Sequence, residues 1–124
     1  MNDPNGFLLL VEDEWLLRME LAQALGDAGW TVLEAENGER ALTMLAGSSD
    51  LGLLVTDVRL GGPVTGWDVA DAFRERHPGF PVVYVSANSP QDVRRVPASL
   101  FFSKPLVVDE LVRSCNALRT PKES

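Results

Sequence analysis

Glu12, Asp13, Asp57, Ser86 and Lys104 all stand where short apolar runs end in this 124-residue chain. Glu12 and Asp13 follow Phe7-Leu8-Leu9-Leu10-Val11, Asp57 follows Leu53-Leu54-Val55-Thr56, Ser86 follows Val82-Val83-Tyr84-Val85, and Lys104 follows Leu100-Phe101-Phe102-Ser103. If the runs are strands lying side by side, the five side chains meet. Carboxylates brought within reach of one another repel unless a cation sits among them. An all-oxygen donor set selects a hard ion, and Mg²⁺ keeps several waters beside few carboxylates. A lysine facing them, with a hydroxyl nearby, offers donors to an anion such as a phosphoryl group. A carboxylate in that setting can attack phosphorus and form an aspartyl-phosphate. Catalysis of this kind is mostly positioning and electrostatics.

The elements that must position these residues follow from the hydrophobic pattern. Strands are expected over Phe7–Glu12, Thr31–Ala35, Leu51–Asp57, Phe80–Ser86 and Leu100–Ser103. Runs apolar throughout, such as Leu53-Leu54-Val55, suit strands covered on both faces, which implies a parallel sheet. Amphipathic segments lie between them. Leu17, Leu21, Leu25 and Ala28 share one helical face that ends at Gly29. A second helix opens at the N-cap Asn37 and turns Ala41, Leu42 and Leu45 inward. A third runs from Gly66 to His77, with Ala70 and Phe73 inward, and stops before Pro78. Ser89-Pro90-Gln91-Asp92 reads as the start of a fourth, which Pro97 halts after about two turns. The last carries Val108, Leu111, Val112, Cys115 and Leu118 on one stripe. Five β-then-α units predict an α/β fold: a doubly wound, five-stranded parallel sheet, order 2-1-3-4-5, flanked by helices with the fourth short. In such folds ligands bind beyond the C-terminal ends of the strands, where the five polar residues fall.

Composition narrows the function. Apolar residues make up 45% and charged residues 23%, ordinary for a soluble domain. A net charge of −7 without a basic patch argues against direct binding to nucleic acid. The single cysteine cannot form an internal disulfide, and no apolar run approaches a membrane span. A cytoplasmic protein without membrane contact is expected, one domain with a core over residues 6–118 and a polar tail over 119–124.

The pieces Leu-Val-Glu-Asp-Glu, Ala-Glu-Asn-Gly-Glu-Arg-Ala-Leu, Val-Thr-Asp-Val-Arg-Leu, Pro-Val-Val-Tyr-Val-Ser-Ala and Phe-Phe-Ser-Lys-Pro together resemble a response-regulator receiver domain over nearly the whole chain. The resemblance implies Asp57 as phosphoacceptor, supplied by a histidine kinase or phosphotransfer protein. It implies that Glu12, Asp13, Asp57 and the backbone carbonyl of Arg59 bind Mg²⁺. Ser86 would hydrogen-bond the phosphoryl group and Lys104 would pair with it. Pro105 is expected to follow a cis peptide bond. Phe101 occupies the position of an aromatic switch coupled to Ser86, although its plain alternative is a core residue. The output is an altered surface that binds a downstream protein, whose identity the sequence leaves unknown. Receivers are signalling domains rather than enzymes acting on a separate substrate.

Departures from the family pattern are confined to two places. Gly61 stands where a proline is common, and Gly-Gly-Pro-Val-Thr-Gly is about one residue longer than usual. Eighteen residues separate Ser86 from Lys104, about one helical turn fewer than usual. The fourth helix belongs to the family's dimerisation face, so at most a weak homodimer carries over. Arg59 and Asn88 fall where the family tunes phosphoryl lifetime. Arg59 either reaches the phosphoryl group or points to solvent. Glu14 reads as a first-turn helix acid favoured by the helix dipole, outside the site. His77 reads as solvent-facing, Cys115 as an inert core residue, and Trp15 and Trp67 as flanking the site without a role in it. One alternative is a degenerate receiver that binds partners without phosphorylation. A phosphatase of the haloacid-dehalogenase type would need Asp-x-Asp, which Asp57-Val58-Arg59 lacks. A flavin carrier would need a Ser/Thr/Gly-rich loop after the first strand.

Overall fold

Strand and helix alternate along the chain in the computed structural model, which describes residues 6–48, 50–87 and 94–119. The strands are β1 (Phe7–Val11), β2 (Thr31–Ala35), β3 (Leu51–Asp57), β4 (Val82–Ser86) and β5 (Ser99–Ser103). The helices are α1 (Trp15–Asp27), α2 (Gly38–Ala46), α3 (Gly66–Arg76) and α4 (Val108–Ala117). All strand pairs are parallel, in the order β2-β1-β3-β4-β5. The doubly wound sheet is therefore the one the sequence predicts.

The pleat divides the core in two. Leu9, Val11, Leu54, Val82 and Tyr84 join α2 and α3 on one face. Leu8, Leu10, Leu53, Val55, Val83 and Val85 join α1 and α4 on the other. Successive residues of a strand point to opposite faces, so a strand serving both cores must be apolar at every position. β3 and β4 are buried at every residue.

Local chemistry sets the helix boundaries. The Asn37 side chain accepts the Arg40 N–H at 2.7 Å, the expected N-cap. α3 begins with a capping box: the Thr65 hydroxyl accepts from the Asp68 N–H and the Asp68 carboxylate accepts from the Thr65 N–H. The Thr-x-x-Asp spacing was present in the sequence as its signal. Gly29 closes the turn after α1 at φ 106°, a conformation that favours glycine.

Several expectations need correction. β4 begins at Val82 rather than Phe80, because Pro81 has no N–H to pair, and its carbonyl accepts from Leu54. His77 is 6% exposed, not solvent-facing. Its ring lies 5.0 Å from that of Phe73 and 6.3 Å from that of Phe80. The predicted start of the fourth helix, Ser89 to Asp92, lies outside the described residues, as does Asn88. Residues 94–98, which follow, are not helical. Cys115 is buried in the core as expected, and burial pushes its thiol up to about 12. Among the described residues no helix is long and apolar enough to cross a membrane.

Candidate functional site

The sheet order sets β1, β3, β4 and β5 next to one another, and backbone bonds continue past the strands to bind their C-terminal ends together. The Glu12 N–H donates to the Ala35 carbonyl at 3.1 Å, that of Val58 to Val85 at 3.1 Å, and that of Lys104 to Ser86 at 2.9 Å. Glu12, Asp13 and Asp57 each offer one carboxylate oxygen, and these lie within 4.8 Å of one another. The Lys104 ammonium donates to Asp57 Oδ2 at 2.8 Å and stands 3.4 Å from Glu12 Oε1. An open cavity of about 320 Å³ at this edge is lined by Asp13, Glu14, Asp57, Arg59, Gly61, Ser86, Ala87 and Lys104.

Burial separates the acids. Glu12 is 1% and Asp57 5% exposed, whereas Asp13 faces solvent. Loss of solvation raises the Glu12 carboxyl to about 7, with the Asp57 charge adding to the rise. The Glu14 N–H, donating to Glu12 Oε2 at 3.0 Å, and the nearby Lys104 oppose it. Burial by itself would lower Lys104. Its hydrogen bond and charge contact with Asp57, with Glu12 and Glu14 behind them, outweigh that and raise it above the ordinary lysine value.

The donor chemistry fits a hard divalent cation. An octahedral Mg²⁺ with bonds of about 2.0–2.1 Å spans oxygens up to roughly 4 Å apart. Carboxylates already within 4.8 Å reach that range with small side-chain rotations. Nitrogen and sulfur ligands are missing from this cluster, which disfavours softer metals. Lys104 supplies the positive charge that otherwise keeps the acids together.

Glu14 requires a correction. It is the N-cap residue of α1, its side chain makes no cap bond, and its carboxylate approaches Lys104 Nζ to 3.7 Å. It therefore borders the cavity as a third acid around the lysine. Its place directly after Asp13, at the same strand end, was the available signal. Gly66, expected as the start of the third helix, also packs against the Asp57 loop. Its N–H donates to the Val58 carbonyl at 2.8 Å, and a Cβ there would run into the Asp57 carbonyl oxygen. A glycine opening a helix just after an acid-bearing loop is the trace it leaves in the sequence.

Phe101 is not among the cavity residues. It pairs in register with Tyr84 across β4 and β5, on the α2–α3 face. The Lys104–Pro105 peptide is cis, as expected. Arg59 is exposed and lines the cavity, and its N–H lies 3.4 Å from Asp57 Oδ1. Trp67 packs against Tyr84 at 4.9 Å, while Trp15 is 61% exposed at the start of α1.

A five-stranded parallel sheet with acids and a lysine gathered at its C-terminal edge defines a class, and comparison with known sequences identifies it. The chain belongs to the response regulator receiver domain family, whose profile matches residues 8–116. It is 32% identical over 111 residues to the DNA-binding transcriptional regulator NtrC of Salmonella typhimurium, a match covering 86% of this chain and 23% of that protein. It is 31% identical over 135 residues to a probable transcriptional regulatory protein of Picosynechococcus, covering 94% and 53%. The chain thus spans about a quarter of the first and half of the second. Among solved structures, a response regulator receiver protein from Sinorhizobium medicae superposes with a TM-score of 0.88 at 32% identity, covering 94% of this chain and 96% of that one. TrrA from Thermotoga maritima, solved in complex with Mg²⁺ and BeF, gives 0.81 at 26% identity, covering 91% and 98%. This is a receiver domain of the two-component type.

Proposed function

We propose that Asp57 accepts a phosphoryl group from a histidine kinase or phosphotransfer protein, and that the modified domain binds a downstream protein through an altered surface. The carrying observation is the meeting of Glu12, Asp13 and Asp57 oxygens within 4.8 Å, beside a Lys104 ammonium 2.8 Å from Asp57. Glu12, Asp13, Asp57 and the backbone carbonyl of Arg59 would hold Mg²⁺. When bound, the ion neutralises charge on the phosphoryl oxygens.

The protein's own part follows from its geometry. An Asp57 carboxylate oxygen attacks phosphorus, the P–N bond of the donor phosphoimidazole breaks, and the nitrogen keeps the electron pair and takes up a proton from solvent. Lys104 moves its hydrogen bond from Asp57 to a phosphoryl oxygen, so its charge stays paired throughout. The Ser86 hydroxyl donates to a second oxygen, and Phe101 responds to that movement. Contacts made in only one of two conformations are what bias the domain toward its signalling form.

The test is incubation with acetyl phosphate and Mg²⁺ followed by intact mass. One phosphoryl adduct is expected in the wild type, and none in Asp57→Asn or with the metal chelated. Labelling of Asp57→Asn would remove Asp57 from the reaction, and an unlabelled wild type would favour a domain that works without phosphorylation.

A further inference from the structure

The sheet has two edges, β2 and β5, and an edge strand presents a row of backbone N–H and C=O groups to whatever lies beside it. β2 is blunted by a charge: Glu34, next to its last residue, pairs with Arg18 of α1 at 3.4 Å. β5 has no such guard. Ser99-Leu100-Phe101-Phe102-Ser103 carries no charge, proline or glycine, in a chain whose net charge is −7. None of its residues is fully buried, and Leu100 is 36% exposed. The segment leading into it turns inward over the α2–α3 face, where the Val96 N–H donates to the Tyr84 hydroxyl at 3.0 Å. Arg95 takes the Ser99 carbonyl at 2.7 Å, and that oxygen keeps a second lone pair.

The register with β4 fixes which groups point outward. The Lys104 N–H donates to the Ser86 carbonyl on β4, and backbone directions alternate along a strand. Leu100 and Phe102 therefore face β4, and the backbone groups of Ser99, Phe101 and Ser103 point away from the sheet. By residue type the strand reads alike in both directions, with a serine at each end and apolar residues between. Set antiparallel to a second copy with Phe101 on the two-fold axis, Ser99 meets Ser103, Phe101 meets Phe101 and Leu100 meets Phe102. The outward-facing residues then all fall in pairs that exchange both backbone bonds. Leu100 and Phe102 fall in the closer pairs between them, apolar against apolar on the α1–α4 face. A slip of one residue sets outward groups against inward ones, and a slip of two sets serine against phenylalanine. Beside Phe102 lies an open depression of about 390 Å³, walled by Glu110, Arg113, Ser114 and Ala117 of α4, which Leu100 of the second copy would enter.

We propose that β5 is a self-pairing edge: two copies of this chain join antiparallel through it, making one continuous sheet across a two-fold axis. The same strand serves both copies, as an isologous contact requires. Backbone bonds of a single strand hold the pair, with no part for a fourth helix, and the unmodified protein makes it. The inference goes beyond phosphoryl acceptance and does not depend on it. One short strand and a helix flank from each copy fall below the roughly 1,200 Å² of standard interfaces, so the dimer is weak and concentration-dependent.

Sedimentation of unmodified protein from about 10 µM to about 1 mM should show the average mass rising from one chain toward two. Leu100→Lys should abolish the rise, because a lysine blunts a sheet edge. It also makes the net charge less negative, so added repulsion cannot explain the loss. Hydrogen exchange of the wild type over the same range reads the register. The Phe101 amide should slow about fivefold once about four-fifths of the chains are paired, and those of Ser99 and Ser103 should slow with it. The Leu100 and Phe102 amides, already bound to β4, should not change. A single-chain mass at every concentration leaves this edge to another protein's strand and overturns self-pairing. A dimer that survives Leu100→Lys overturns it too, as does a dimer in which the Phe101 amide exchanges unchanged. The amide pattern needs no substitution, so it decides even if Leu100→Lys fails to fold.

Discussion

Glu12→Gln should make the metal-free protein more stable, and increasingly so as pH rises. The Glu12 carboxyl is raised from an ordinary 4.5 to about 7 by burial, so the folded state holds a proton that the unfolded chain has already released. Below pH 4.5 both states are protonated and Glu12 contributes nothing to pH dependence. Between pH 4.5 and 7 the unfolded state loses its proton first, and stability falls as pH rises. Above pH 7 the loss is complete. A difference of 2.5 pH units at about 1.36 kcal/mol each sets its size at about 3 kcal/mol. Glutamine keeps an acceptor for the Glu14 N–H but has no charge to desolvate. In urea unfolding with a chelator present, the stability of Glu12→Gln minus that of wild type should therefore grow by up to about 3 kcal/mol from pH 4.5 to 7.5. Groups distant from Glu12 titrate alike in both proteins and cancel. Saturating Mg²⁺ should shrink the difference, because binding to the folded carboxylate restores stability only to wild type. A difference constant across the pH range refutes the reasoning: burial would then place no charge penalty on Glu12.

Three further outcomes follow from the same geometry. Asp13→Ala should weaken Mg²⁺ binding more than tenfold, read from the fluorescence of exposed Trp15; an unchanged titration would take Asp13 out of the metal site. Burial, with the Arg76 charge, lowers His77 below its usual 6.5, although Asp50 partly opposes the shift. Stability carried by neutral His77 is full above pH 6.5 and lost as pH falls below it, so His77→Phe should flatten thermal unfolding between pH 5 and 7; an identical acid-side fall would exclude His77 as its source. Gly66→Ala should cost about 3 kcal/mol, since its Cβ collides with the Asp57 carbonyl and comes within 2.8 Å of the Val58 Cα; a urea midpoint within error of wild type would mean that the α3 start yields freely.

The fold was legible because its signals are local. Leu53-Leu54-Val55 and Val82-Val83-Tyr84-Val85 are apolar at every position, which only a strand covered on both faces requires. Asn37 announced α2 by its own side chain. The acids and Lys104 were legible once the strand order was, since each sits at a strand's C-terminal end. Two misreadings have physical causes. Glu14 looked like a helix acid because capping and dipole rules act along the chain, while its approach to Lys104 spans ninety residues. His77 looked exposed beside Pro78, yet Phe73 lies four residues earlier on α3, the spacing at which helix side chains stack. The contact of Val96 with Tyr84 left no trace, because it depends on how a non-helical segment folds back over the sheet. Hydrophobic period says nothing about such a segment.

The division of the core has a consequence for how this domain can change over generations. Alternate residues of each strand serve separate packing layers, one under α1 and α4 and the other under α2 and α3. Substitutions in different layers share few neighbours, and their costs should add rather than compound. One surface can therefore be remodelled while the other keeps its shape. A domain built this way can change one face at a time. The sheet between the two layers holds the acids and the lysine in place throughout.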